Sequence, residues 1–172
     1  LGKPGAPIDL TAGNLLQVVS GGSLYVYHGS EMPAAGLLAG NTAVQDTIIV
    51  GGSGSGLTVT GDGPHYVGTG GGRGYVMIHN MGTADIAGSL TLGGGTASDS
   101  QGFFSTASGG VASVGDLIAG ADGRTGQIGR INVMGDGAEI TQTGASVLTL
   151  GAGGASTGEL HVDGGVFSTG TG

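Results

Sequence analysis

Leu117-Ile-Ala-Gly-Ala-Asp-Gly-Arg-Thr-Gly-Gln-Ile-Gly-Arg-Ile-Asn-Val-Met-Gly135 and Leu148-Thr-Leu-Gly-Ala-Gly-Gly-Ala-Ser-Thr-Gly-Glu-Leu-His-Val-Asp-Gly164 run through the same residue types in the same order. Each reads as a short aliphatic strand, a glycine turn, a second strand and a second glycine turn. Ile48-Ile-Val-Gly-Gly-Ser-Gly-Ser-Gly-Leu-Thr-Val-Thr-Gly61 gives the same series again. A unit of this kind has one apolar face and too little of its own to cover it, so it must stack on its neighbours. Gly135 and Gly164 close equivalent strands 29 positions apart, and Gly120 and Gly151 are separated by 31. One coil therefore takes about 20 to 30 residues, a solenoid period rather than a hairpin period.

Within the strands, apolar and polar residues alternate with period two, as in Leu57-Thr-Val59, Leu90-Thr-Leu92, Ile131-Asn-Val133, Leu148-Thr-Leu150 and Leu160-His-Val162. One face is thus buried and the other wet. No segment has helical periodicity. An antiparallel sandwich also uses short strands and glycine turns, but its hairpins impose no fixed order of phrases. The repeated order predicts equivalent strands stacked in parallel, about 4.8 Å apart, in an all-β solenoid of about six to seven coils.

The expected organisation is an irregular N-terminal lead-in or cap over residues 1–13, which holds Pro4 and Pro7, followed by a single β-solenoid domain over 14–172. Strands are predicted at 15–20, 23–27, 47–50, 56–60, 74–79, 89–92, 114–118, 130–134, 147–150, 159–162 and 165–168. The stretch 29–43 reads as a loop, and Met32-Pro33-Ala34-Ala35-Gly36-Leu37-Leu38 is the one place in it suited to a helical turn.

Glycine at 43 of 172 positions would suit collagen, but it does not recur at every third residue and there are only four prolines. Disorder is disfavoured because 38% of residues are hydrophobic and only 9% charged, the reverse of the composition that keeps chains unfolded. Twelve acidic and four basic residues give a net charge of −8 without runs, which leaves no basic surface for nucleic acid or an anionic membrane. Absence of cysteine removes disulfides and thiolate metal sites. No apolar stretch approaches the roughly 18 residues of a membrane helix. The start at Leu1, with no basic-then-apolar leader, reads as a processed chain or an excerpt.

At Gly151-Ala-Gly-Gly-Ala-Ser-Thr-Gly-Glu-Leu-His-Val-Asp-Gly-Gly165 and Gly51-Gly-Ser-Gly-Ser-Gly-Leu-Thr-Val-Thr-Gly61 the chain resembles the passenger repeats of bacterial autotransporters. The likeness covers residues 46–172 well and 1–45 poorly. It implies a right-handed parallel β-helix displayed on the outer membrane, exported unfolded and anchored by a C-terminal β-barrel that this sequence does not contain. An adhesive or aggregating rod is the role it implies.

Enzyme chemistry finds little support in the residues. Asp62, Asp122 and Asp136 each lie in a Gly-Asp-Gly or Ala-Asp-Gly turn, where aspartate is favoured for local side-chain to backbone bonds. No two acidic residues are adjacent or one apart, so nothing marks a glycosidase pair. The calcium-roll unit Gly-Gly-x-Gly-x-Asp is approached at Gly51-Gly-Ser-Gly-Ser-Gly and Gly70-Gly-Gly-Arg-Gly-Tyr, but its aspartate is missing. The same glycine runs lack the Lys-Ser/Thr and helix of a phosphate loop. His28, His65, His79 and His161 share no metal-ligand spacing and are expected to be solvated. Thr58 and Thr60 form a Thr-x-Thr pair of the ice-binding type, but the matching position elsewhere holds Asn132, Thr149 or His161, so threonine does not recur on successive coils.

The sequence therefore predicts a protein that is not an enzyme and has no catalytic, cofactor-binding or metal-binding residues. It is expected at the extracellular or bacterial cell surface, acting as a β-helical stalk or adhesin segment. Expected partners are a host or matrix glycan or protein surface, or identical chains, with no nucleic acid and with a membrane reached only through the missing anchor. A self-assembling fibre or sheath subunit, stacked end to end, is the alternative.

Overall fold

The computed structural model describes residues 10–145 and 148–170. These form strands β1 (Leu10–Val18), β2 (Ser23–Val26), β3 (Glu31–Ala39), β4 (Gln45–Gly51), β5 (Gly56–Val59), β6 (His65–Val67), β7 (Arg73–His79) and β8 (Thr83–Leu92). They continue as β9 (Gln101–Ala107), β10 (Val111–Ala119), β11 (Ile128–Met134), β12 (Glu139–Gln142), β13 (Thr149–Leu150), β14 (Thr157–Asp163) and β15 (Val166–Thr169). There is no helix among the described residues, and the strands that pair within the two sheets are all parallel.

The first sheet stacks β1, β3, β5, β8, β10, β12 and β15, with β6 and β13 beside that path; the second stacks β2, β4, β7, β9, β11 and β14. Each turn of chain lays one strand in the second sheet and two successive legs in the first. In β8 and β10 the two legs are continuous, with a register shift between Val114 and Asp116. In the coils on either side they are split into β5 and β6, and into β12 and β13. The chain is therefore a parallel β-solenoid.

Register fixes the period. Gln45, Arg73, Gln101, Ile128 and Thr157 stand one above another, 28, 28, 27 and 29 positions apart. At that length the described residues complete about five turns, not the six to seven expected. The shorter coils that the glycine phrases suggested occur only at the N-terminal end, where Leu15 pairs with Gly36 after 21 residues.

The core is a set of aliphatic ladders. Leu24, Ile48, Val76, Phe104, Ile131 and Leu160 follow one another in the second sheet, facing Met32, Leu57, Ala84, Ala112, Ile140 and Phe167 in the first. Phe104, Ile48, Leu57, Ile131 and Ile140 are fully buried. Coverage thins at the last rung, where Leu160 and Phe167 are only partly buried.

The stretch 29–43, expected to be a loop with a possible helical turn, contains β3 instead. Its burial alternates along Glu31–Ala39, so Met32 and Ala34 point inward. Pro33 is tolerated because β1 pairs with that part of β3 only at Leu10 opposite Ala34 before the register shifts, and little ladder is lost with its missing N–H. Strands β6, β9 and β12 were also not expected. The first strand starts at Leu10, inside the expected lead-in, whose remainder (1–9) lies outside the described residues. The expected strand at 147–150 appears as β13, with Val147 outside them.

After β2, β7 and β9 the second sheet hands over to the first through tight turns with two consecutive left-handed residues, the type I′ geometry. Gly82 N donates to His79 O at 2.9 Å and Gly110 N to Ala107 O at 3.0 Å. In the later turn the second left-handed residue is Gly109 (φ +79°), whereas in the earlier one it is Met81 (φ +65°). A side chain in that region costs about 1–2 kcal/mol, partly offset by the freedom that glycine gains in the unfolded chain. Met81→Gly is expected to stabilise the fold by about 0.5–1 kcal/mol, read as a higher urea midpoint.

Candidate functional site

Because side chains alternate across a strand, each sheet turns a second set of ladders to solvent, and the two outer faces differ in chemistry. On the first legs of the first sheet the outward residues are mostly hydroxyls and acids, with two exposed valines among them. Thr58, Asp85, Ser113, Thr141 and Ser168 form one column, and Thr83, Val111, Glu139 and Val166 another. Thr141 bonds to Glu139 (3.1 Å) and Ser168 (3.0 Å) within this face.

The second sheet presents aromatic rings, thioethers and imidazoles. One outward column runs Ser23, Thr47, Tyr75, Phe103, Arg130 and Glu159; the next runs Tyr25, Ile49, Met77, Ser105, Asn132 and His161. Tyr75 and Phe103 stack with centroids 4.4 Å apart and planes 7° from parallel. The Arg130 guanidinium lies 5.7 Å from the Phe103 centroid, on the rung beyond. Arg130 Nε donates to Glu159 Oε2 at 2.6 Å, and the same oxygen lies 3.2 Å from His161 Nε2. Phe103 is thus enclosed between Tyr75 and Arg130, so the stack stiffens the face rather than presenting an open ring.

At the edge of this face Tyr27 reaches across a rung to His79, Oη to Nε2 3.1 Å, with the rings nearly perpendicular. Gly51 lies between them, and a Cβ there would stand 2.6 Å from both. The first glycine of a phrase that resembled a calcium loop is therefore a packing gap. Gly70 and Gly71 of the other such phrase are the left-handed pair of a turn closed by Gly72 N to Thr69 O, 2.9 Å.

The sequence candidates do not converge. Asp62, Asp122 and Asp136 are all exposed, on three different corners. Asp122 does more than cap its own turn: its Oδ2 accepts from Gly95 N on the preceding rung at 2.5 Å. Thr58 stacks between Pro33 and Asp85, so no threonine ladder passes through it. The comparison residues Asn132 and His161 lie on the other sheet. Among the described residues there is no group of three His, Asp or Glu side chains able to hold a metal, and no helix long and apolar enough to cross a membrane.

His28 and His161 are exposed as expected, and His79 is half-buried, but His65 is not solvated at all. It is 2% exposed and stands in register with Leu90 on the inward side of the first sheet. Leu37 N–H donates to Nδ1 at 3.3 Å, which leaves the proton on Nε2, 2.8 Å from Ala87 O and 3.0 Å from Gly61 O. Its signal in the sequence was its place in the strand after the 60–64 excursion, which the local phrase did not reveal.

A trough of about 660 Å³ runs beside the second legs of the first sheet, lined by Tyr66, Thr91, Ile118, Thr149 and, from the corner turns, Asp122 and Arg124. It combines one phenol, three threonine hydroxyls and one charge of each sign with an aliphatic floor, a composition suited to shallow polar contacts. Comparison with protein-family models, with curated proteins and with solved structures found no match to this chain.

The Arg130 guanidinium, then His161, hold the Glu159 carboxyl below the usual carboxylate range. Since the folded value is the lower one, this contribution is complete above the unfolded pKa and is lost as pH falls through the folded value. For a pair this exposed the effect is small, about 0.5 kcal/mol. Glu159→Gln is expected to lower the urea midpoint slightly at pH 7 and not at all at pH 2, where both proteins lack the charge.

Proposed function

We propose that this chain is a non-enzymatic, extracellular β-helical stalk or adhesin segment, wound right-handed and displayed at a bacterial cell surface. The observation that supports it most is the unbroken register of the second sheet across β2, β4, β7, β9, β11 and β14, which gives a stiff body bearing two long, chemically distinct faces. Such a body acts through reach and many shallow contacts, and its partners are glycan or protein surfaces of a host or matrix. The right-handed winding follows from the near-universal hand of crossovers between parallel strands. The resemblance of the glycine phrases to autotransporter passengers supports the location, with the membrane reached only through an anchor elsewhere in the polypeptide.

An end-to-end fibre or sheath subunit is the second reading, in which coils of separate copies stack in parallel as the rungs within the chain do. Beads coated with the protein are expected to adhere saturably to an extracellular-matrix or glycan array. No adhesion to any surface, together with growth of the free protein into filaments, would replace the stalk with the fibre. The intact native mass separates them independently: far above 16.3 kDa for a passenger, near it for a subunit.

A further inference from the structure

The net charge of −8 is not spread evenly over the solenoid. The outer face of the first sheet bears Glu31, Asp85, Asp116 and Glu139. On the second sheet Asp46 is completely buried, its Oδ1 taking the Gly21 and Gly22 amides at 2.7 and 2.8 Å. Its outward carboxylates are Glu159 and Asp163, both on β14, and Glu159 is already paired with Arg130. From β2 to β11 the outer face of the second sheet therefore has no carboxylate among its outward positions, and it holds Tyr25, Ile49, Tyr75, Met77 and Phe103.

We infer that this face is where two copies of the chain associate, back to back about a two-fold axis. The inference goes beyond the proposed stalk, to which it adds a contact between copies of the chain. Two bodies of charge −8 repel, and contact costs least where neither presents a carboxylate. A two-fold interface needs a self-complementary patch. Over β2 to β11 the column Ser23, Thr47, Tyr75, Phe103, Arg130 has its midpoint at Tyr75, which puts that ring on the axis, where interface energy concentrates. Tyr25, 54% exposed, then faces the Asn132 end of the partner copy.

Area sets the strength. Five strands at about 4.8 Å and seven residues at about 3.3 Å give a face of about 19 by 23 Å, or about 900 Å² over both copies. That is below the usual size of a stable interface, so the dimer is a weak, transient one, with a dissociation constant of about 100 µM.

Sedimentation equilibrium of the whole chain from 5 to 500 µM, in 0.15 and 1 M NaCl, tests this. The expected result is a reversible dimer that salt leaves unchanged or strengthens. It should weaken about tenfold or more in Met77→Glu and in Tyr25→Lys, while Thr58→Glu on the opposite sheet leaves it intact; far-UV circular dichroism reports that each variant folds. A monomer throughout, or a dimer that 1 M NaCl dissolves, overturns the inference. Association untouched by both second-sheet variants also overturns it, by moving contact to another surface, while leaving self-association standing. Adhesion of coated beads reads the stalk role separately, so a monomer that still adheres refutes only the dimer.

Discussion

Replacing His65 with alanine is expected to lower stability by about 3–5 kcal/mol, one of the largest effects available from a single side chain. Three terms add. The substitution opens a cavity in a closely packed interior. It orphans the Leu37 amide, and it orphans the Gly61 and Ala87 carbonyls that the Nε2 proton reaches at 3.0 and 2.8 Å. Each buried group left unpaired costs about 1–3 kcal/mol. Leucine is the informative control, because Leu90 occupies the registered position on the next rung. If packing alone mattered, His65→Leu would be neutral or stabilising. The imidazole, however, fills a break in the sheet: residues 60–64 separate β5 from β6, and the ring supplies Leu37 N–H with the acceptor that the interrupted strand does not. His65→Leu should therefore still lose about 1–3 kcal/mol, measured by urea unfolding at pH 7.

Gly102→Ala should be as damaging through a different mechanism. At each corner a left-handed glycine ends the second leg of the first sheet, as at Gly68, Gly93 and Gly120 with φ of 72°, 61° and 70°. Its amide donates to the rung before, Gly93 N to Val67 O at 2.9 Å and Gly120 N to Leu92 O at 2.9 Å. The second residue of the following strand packs straight onto that bond. A Cβ on Gly102 would overlap Val67 O and the Gly93 amide, both backbone, with no flexible side chain able to yield. Relief requires the rungs to part, which breaks the ladder on both sides. The cost exceeds the usual 1–3 kcal/mol of overpacking, and the variant is expected to unfold at a urea concentration well below that of the parent. Gly154→Ala, where a Cβ meets nothing within 4 Å, is expected to behave like the parent.

Asp46 shows how a site of this kind is managed when it is not glycine. It is registered with Gly74, which makes it the one outlier in the run Gly74, Gly102, Gly129, Gly158. The coil beneath it is short, and its carboxylate takes the two amides of the Gly21–Gly22 turn instead.

The solenoid could be read from Leu117–Gly135 and Leu148–Gly164 because glycine turns and period-two strands are local signals, each complete within a dozen residues. What escaped was information carried between rungs. β3 was obscured by Pro33, whose tolerance depends on Leu10, 23 residues away. β9 was missed because Phe103 and Phe104 are adjacent and look unpatterned, although one faces out to stack on Tyr75 and the other is fully buried. The coil count ran high because phrase spacing alone does not separate turn residues from strand residues. For the same reason the aromatic and cationic column on the second sheet was invisible until Tyr75, Phe103 and Arg130 were placed in register. The candidate aspartates and threonines were judged within their own turns, whereas Asp122 acts on Gly95, 27 positions away.

Parallel stacking in this register underlies both outer faces, and cysteine pairs test it directly in a chain that has no cysteine of its own. Ser105 and Asn132 are registered neighbours with side chains 3.0 Å apart. Their Cα atoms lie about 4.8 Å apart across the rungs, within the span of a disulfide. Ser105→Cys with Asn132→Cys should oxidise to an intramolecular disulfide, found by peptide mass after digestion. Ser105→Cys with Arg130→Cys, displaced by two residues and so about 8 Å apart, should remain reduced. Cross-linking of the displaced pair in preference to the registered one would contradict the stacking and, with it, both faces described above.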